Sequence, residues 1–204
     1  MFKTPSILPL IYPSLTWKIK TSEKVIYLTF DDGPIPEVTE FVLEQLALYK
    51  AKATFFCIGD NVRKHPDIFQ KIISDDHSFG NHTFNHLNGW KTDNKTYIKN
   101  VALCQVEIEK HGVKTNLFRP PYGRIKFSQT SKLVDYKIIM WDVLTKDYNQ
   151  SVGKEIVLNK TLKHSEAGSI VLMHDSLKAY ENMRFSLPKF LEVFSDKGYR
   201  FEKL

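Results

Sequence analysis

The sequence predicts an α/β fold built on a parallel sheet, and three observations predict it. Short apolar runs rich in β-branched and aromatic residues alternate with longer stretches of helical period. The polar clusters fall at the carboxyl ends of those runs, where parallel α/β folds carry their chemistry. Composition fits one globular domain: of 204 residues, 42% are hydrophobic and 25% charged, a balance that neither disordered nor fibrous chains show.

In chain order, Val25 to Phe30 reads as a strand, and Val38, Phe41, Val42, Leu46 and Leu48 as the apolar face of a helix. Ala53 to Ile58 is the next strand and Pro66 to Ile73 the next helix, with the proline tolerated in its first turn. Thr96 to Lys110 places Tyr97, Val101, Cys104 and Ile108 on one helical face, and Gly112 stops it. A strand precedes Arg119. Lys137 to Val143 and Ser169 to Met173 are further strands, separated by a helix over Gly153 to His164. A last helix around Leu187 to Ser195 leads to a strand near Tyr199 to Phe201. Periodicity does not choose between a closed barrel and an open sheet.

The net charge of +6 comes from lysines scattered along the whole chain, without the dense basic block of a nucleic-acid surface. No nucleic-acid partner is expected. No stretch approaches the roughly 20 apolar residues of a transmembrane helix. The apolar start, Met1 to Pro13, is interrupted by prolines and lacks a small-residue cleavage site, so it makes a poor signal peptide. Cytoplasmic placement is the default expectation, with export by another route as the alternative. Cys57 and Cys104 form no C-x-x-C pair; Cys57 reads as buried packing, and a disulfide between the two stays open.

Four clusters concentrate reactive groups. Thr29-Phe30-Asp31-Asp32-Gly33-Pro34 follows the first strand with two adjacent carboxylates, although Asp, Gly and Pro also make ordinary turns. Gly80-Asn81-His82-Thr83-Phe84-Asn85-His86 carries two imidazoles four residues apart, a spacing that on one helical turn faces both toward a single ion. A zinc metalloprotease would need Glu where Thr83 stands, whereas two His and one carboxylate form an open site for a divalent ion. Arg119-Pro120-Pro121-Tyr122-Gly123 sets a permanent cation before a stiff turn, suited to orienting a carboxylate or simply to lying on the surface. Ile170 to Asp175 ends a strand with His174, an acid/base candidate or a satisfied single histidine. Trp141 to Tyr148 supplies further carboxylates and an aromatic. His65, His111 and His164 read as helix-end residues, and His77 as exposed.

Together and in this order, Thr-Phe-Asp-Asp-Gly-Pro, His-Thr-x-x-His, Arg-Pro-Pro-x-Gly and Leu-x-His resemble the segments of the polysaccharide deacetylases, the NodB-homology or carbohydrate esterase family 4 group. The resemblance runs from about Val25 to the C-terminus, leaving residues 1–24 as an N-terminal extension to a 25–204 domain. It implies a distorted (β/α) barrel, TIM-like with fewer than eight regular units. It also implies a hydrolase removing N-acetyl groups from N-acetylglucosamine-containing polysaccharide or oligosaccharide, such as peptidoglycan or chitin-like oligomers. By the same resemblance Asp32, His82 and His86 are the ligands of one divalent ion, Zn²⁺ first, with Co²⁺, Mn²⁺ or Ni²⁺ as alternatives. Asp31 is then the base, Arg119 the residue that holds it, His174 the acid and Asp147 its partner. The backbone N–H of Tyr122 faces the oxyanion, and Tyr148 and Leu172 line the acetyl pocket. Two positions depart from the family's Asp-x-x-Asp-Trp: Leu144 replaces the first Asp and Tyr148 the Trp. An O-acetyl esterase or small-amide hydrolase with the same metal site, and a catalytically silent carbohydrate-binding protein, are the competing expectations.

Overall fold

Residues 2–204 are described by a computed structural model. The first strand, β1 (Val25–Asp31), is the axis of the molecule: Leu28, Thr29 and Phe30 have no solvent exposure, and each such apolar side chain contributes roughly 1.5–3 kcal/mol of burial free energy. It is followed by α2 (Val38–Leu48), β2 (Ala53–Cys57), α3 (Gly59–Lys64), α4 (Pro66–Ser74), β3 (Ser78–Asn81) and α5 (Asn94–Glu109). The remaining elements are β4 (Leu117–Phe118), α6 (Phe127–Thr130), β5 (Lys137–Ile138), β6 (Val143–Leu144), α7 (Lys154–His164), β7 (Ile170–His174), α8 (Tyr180–Asp196) and β8 (Arg200–Phe201); a short α1 (Ile7–Ile11) lies before β1.

Seven strands lie side by side in the order β5-β4-β3-β2-β1-β7-β6, and every pairing is parallel. The sheet curls into a distorted (β/α) barrel. Strand β8 pairs with the start of β1, at Val25 and Ile26, on the side that β2 takes over from Leu28 onward. The two outer strands, β5 and β6, do not pair with each other. Residues of the N-terminal segment lie between them: Thr16 bridges Ile139, Lys3 bridges Val143 and Lys18 bridges Ser169.

Local chemistry explains where the elements depart from periodicity. Lys137 to Val143 is not one strand; it divides into β5 and β6. Arg119 donates through Nε to the Ile139 carbonyl and through Nη2 to the Met140 carbonyl, at 3.1 and 2.8 Å. Those carbonyls are therefore spent on a side chain and not on a neighbouring strand. Helix α8 begins at Tyr180, seven residues ahead of the expected Leu187, and Pro188 lies inside it. The apolar face of Met183, Leu187, Phe190, Leu191 and Phe194 is fully committed to the core, enough to hold the helix through the proline. Both cysteines are free and buried, Cys104 Sγ lying 3.5 Å from the Cys57 carbonyl. His77 is buried, not exposed; its Nδ1 accepts from the Ala53 N–H at 3.2 Å, and burial lowers its pKa to about 4. No helix among the described residues is long and apolar enough to cross a membrane.

Candidate active site

Parallel strands all present their carboxyl ends to the same rim, and the four sequence clusters meet there. A cavity of about 610 Å³ is lined by Asp31, Asp32, His82, His86, Tyr122, Leu144, Tyr148, Leu172 and His174, together with Arg124, Trp141, Ser176 and Lys178.

Asp31 closes β1 and is registered beside Phe56 of β2 and His174 of β7. Arg119 reaches it from the end of β4: Nη1 donates to Asp31 Oδ1 at 2.7 Å and to Thr29 Oγ1 at 2.8 Å. With its two bonds to the Ile139 and Met140 carbonyls, the wholly buried guanidinium uses four of its five N–H donors, and it stacks 4.1 Å from the Phe56 ring centroid. Burial lowers the arginine pKa while Asp31 opposes that shift. Arg119 engages only Oδ1, which leaves Asp31 Oδ2 unbonded by the guanidinium, 3.7 Å from His82 Nε2.

Asp32 turns out of the strand with φ +90°, a left-handed conformation that few non-glycine residues adopt. Asn61 Nδ2 clamps its carbonyl at 2.7 Å. The next residue, Gly33, donates its N–H to Asp175 Oδ1, and Thr39 donates to Asp175 Oδ2, at 2.9 and 2.6 Å. A Cβ on Gly33 would stand 1.9 Å from Asp175 Oδ2, so only glycine fits the turn. Burial of Asp175 raises its pKa to about 8 despite the two donors.

His82 and His86 do not share a helical turn. The segment after β3 is a loop in which Thr83 and His86 have φ of +62° and +55°. Side-chain bonds substitute for the helix: Asn100 Oδ1 accepts from the Phe84 and Asn85 N–H groups, and Asn81 Oδ1 from Thr83 N–H. The loop nevertheless delivers both imidazoles to one point, their ring centroids 5.1 Å apart. His82 Nδ1 donates to the Arg119 carbonyl at 2.7 Å, which leaves the Nε2 lone pair facing the cavity. His86 Nδ1 lies 3.1 Å from the Tyr122 hydroxyl, and its Nε2 is 3.2 Å from Asp32 Oδ1. Desolvation lowers the pKa of both imidazoles, His82 further, with His86 adding to the effect on His82.

One donor atom from each of Asp32, His82 and His86 lies within 4.8 Å of the other two. Asp32 Oδ1 is buried and accepts no hydrogen bond, a costly state for a carboxylate oxygen that bound positive charge would relieve. Two neutral imidazoles and one carboxylate, with one imidazole oriented through its far nitrogen, fit a divalent cation.

On the other side of β1, His174 Nδ1 donates to Asp147 Oδ1 at 2.8 Å, and its backbone N–H donates to Asp147 Oδ2 at 2.7 Å. Asn182 fixes the Asp147 carbonyl in turn. Desolvation alone would lower the His174 pKa, but the carboxylates of Asp147, Asp32 and Asp31 outweigh it and raise the value to about 9. Tyr148 stands edge-on to this ring, centroids 5.1 Å apart. Tyr122 has φ +62°, and its N–H makes no hydrogen bond among the described residues.

Eight of the ten residues singled out from sequence line this cavity, and the other two, Arg119 and Asp147, are buried behind it, bonded to Asp31 and His174. Reasoning from sequence missed the supports: Asn61, Asp175, Thr39 and Thr29 act only through folded geometry, although the place of Asp175 directly after His174 was a usable signal. Asp142 goes elsewhere, pairing with Lys3 at 2.7 Å and accepting from Ser169.

Comparison with known proteins agrees with the geometry. The polysaccharide deacetylase family model matches residues 18–138. A peptidoglycan-N-acetylglucosamine deacetylase of Bacillus cereus is 35% identical over 191 residues, 92% of this chain and 89% of its own length. A chitooligosaccharide deacetylase of Azorhizobium caulinodans is 33% identical over 165 residues, covering 78% of this chain and 77% of that protein. A crystal structure of a peptidoglycan N-acetylglucosamine deacetylase, in complex with 4-naphthalen-1-yl-N-oxidanyl-benzamide, superposes with a TM-score of 0.90 at 30% identity, over 96% of this chain and 94% of that one. This chain belongs to the polysaccharide deacetylase family and is a deacetylase.

Proposed function

We propose that this chain is a divalent-metal-dependent hydrolase that removes N-acetyl groups from N-acetylglucosamine-containing glycan, either peptidoglycan or chitin-like oligomers. The observation that carries the reading is the convergence of Asp32, His82 and His86 beside an arginine-held carboxylate, opposite a carboxylate-held imidazole, in one cavity.

Asp32, His82 and His86 would hold the ion, and bound there it would supply Lewis acidity to the acetyl carbonyl and to a water. The chain's own groups account for the proton traffic. Asp31 Oδ2, free because Oδ1 is taken by Arg119, accepts a proton from water as its oxygen bonds to the carbonyl carbon. The unpartnered N–H of Tyr122 donates to the oxyanion that forms. His174 is protonated at neutral pH because its pKa is raised to about 9. With Nδ1 engaged by Asp147, it gives its Nε2 proton to the nitrogen as the C–N bond breaks, so that a neutral amine leaves with acetate as the other product. Leu144, Trp141 and Leu172 give the acetyl methyl an apolar wall.

Acetate release measured side by side on chitooligosaccharides, peptidoglycan fragments and acetylated xylan tests the reading. Release from the first or second that vanishes on Asp31→Asn supports it. Release confined to the xylan esters refutes N-deacetylation, and full activity of Asp31→Asn refutes the mechanism.

A further inference from the structure

Two cations on the cavity wall take no part in the chemistry above. Arg124 follows the Tyr122 turn after β4, and Lys178 follows His174 after β7. Strand order puts β4 and β7 on opposite sides of β1, so the two side chains stand on facing walls. Neither forms an ion pair among the described residues, whereas Lys18 pairs with Glu166 at 2.7 Å and Lys71 with Glu40 at 2.6 Å. Each is instead set against an aromatic face: the Arg124 guanidinium lies 4.7 Å from the Trp90 ring centroid, and Lys178 Nζ lies 5.9 Å from that of Tyr148. Trp90 is itself fastened, its indole N–H donating to the Ile125 carbonyl at 3.1 Å. Cations seated on rings keep their N–H donors directed outward and lose less side-chain freedom when a carboxylate arrives.

The acidic groups of the cavity do not cancel this charge. Asp31 is neutralised by Arg119, Asp147 by the His174 imidazolium, and Asp32 faces the ion of the proposed function. The mouth is therefore positive, with its two unpaired cations on either side of the reacting centre. A neutral oligosaccharide offers these cations no partner, whereas a glycan bearing carboxylates does.

We propose that Arg124 and Lys178 select carboxylate-bearing N-acetylated glycan over neutral glycan. The inference rests on the proposed function and narrows its substrate class. Both side chains are exposed, so each contributes the modest energy of a rim ion pair and a salt-dependent encounter rate.

The test compares one peptidoglycan glycan fragment with its carboxylates free and the same fragment with them amidated, using acetate release by the metal-loaded full chain. Expected is a kcat/KM ratio, free over amidated, of about 5 or more at low salt, shrinking toward one at high salt and in the Arg124→Gln/Lys178→Gln double variant. A purely structural role for either side chain would lower turnover of both fragments together and leave the ratio unmoved. A wild-type ratio near one, or a ratio that survives the double substitution, overturns the selection while leaving the deacetylase reading intact. Absence of acetate release from both fragments and from chitooligosaccharides overturns both.

Discussion

Arg119 Nη1 donates to Asp31 Oδ1 across 2.7 Å, with the arginine side chain fully buried and that of Asp31 5% exposed. A buried pair stripped of one partner leaves an uncompensated charge. Arg119→Met therefore lowers unfolding free energy by about 3–5 kcal/mol, since it also orphans the Ile139 and Met140 carbonyls. Adding Asp31→Asn to that background restores part of the loss, because no charge is then left unpaired. Denaturant unfolding of the two single variants and the double variant measures the coupling. Additive losses would mean that the pair contributes nothing beyond its separate contacts.

In the proposed chemistry His174 is the acid, and its titration is expected to set the alkaline limit of turnover. Its pKa in the fold is about 9 against an ordinary 6.5, so the folded state binds this proton more tightly than the unfolded chain. The associated stability is fully present below pH 6.5 and is lost as pH rises through 9. Turnover that needs His174 as an acid declines over the same upper limit. In Asp147→Asn the largest favourable influence on the imidazolium is gone, and the alkaline limb of kcat moves down from near pH 9 toward 6.5. A pH–rate profile of this variant that keeps its limb near 9 would show that Asp147 does not hold the imidazolium.

The turn after β1 tolerates no side chain. Gly33→Ala sets a Cβ 1.9 Å from Asp175 Oδ2, and the shift needed to relieve it costs about 1–3 kcal/mol. In a chain of this length that is roughly 2–4 °C of Tm per kcal/mol. Because Asp32 is the adjacent residue, metal affinity is expected to fall as well. Gly33→Ala/Asp175→Ala, which removes the obstructing carboxylate, recovers Tm but not the hydrogen bond that fixes the Gly33 N–H. Calorimetry and metal titration of both variants separate the two effects.

The thiols are inert in the folded state. Burial raises the Cys104 pKa to about 12 and that of Cys57 well above its ordinary value, so neither supplies thiolate at neutral pH. A thiol reagent titrates no cysteine in the native protein and both after unfolding. Rapid labelling of native protein would contradict their burial.

Much of this site could be read from residues alone because each cluster sits at a strand end. Asp31, His174 and Arg119 terminate or directly follow β1, β7 and β4, and apolar strand runs are the most legible part of an α/β sequence. The His82/His86 loop was less legible. Its spacing suggests a helical turn, but the loop with φ near +60° at Thr83 and His86 is held by Asn81 and Asn100 capturing three backbone N–H groups, and such capture leaves no periodic trace. The division of Lys137 to Val143 was hidden for a related reason: it depends on a guanidinium from another strand. The same is true of Asn61 and Thr39, whose partners lie 29 and 136 residues away.

Everything in the proposed chemistry depends on Asp32, His82 and His86 closing around one cation. Elemental analysis of purified protein, with acetate release assayed before and after chelation, measures this directly. The expected result is one equivalent of a divalent transition metal per chain, activity lost on chelation and regained on adding the metal back, and near-zero metal content in His82→Ala and His86→Ala. Full turnover by metal-free protein, or an unchanged metal content in both histidine variants, would contradict the assignment.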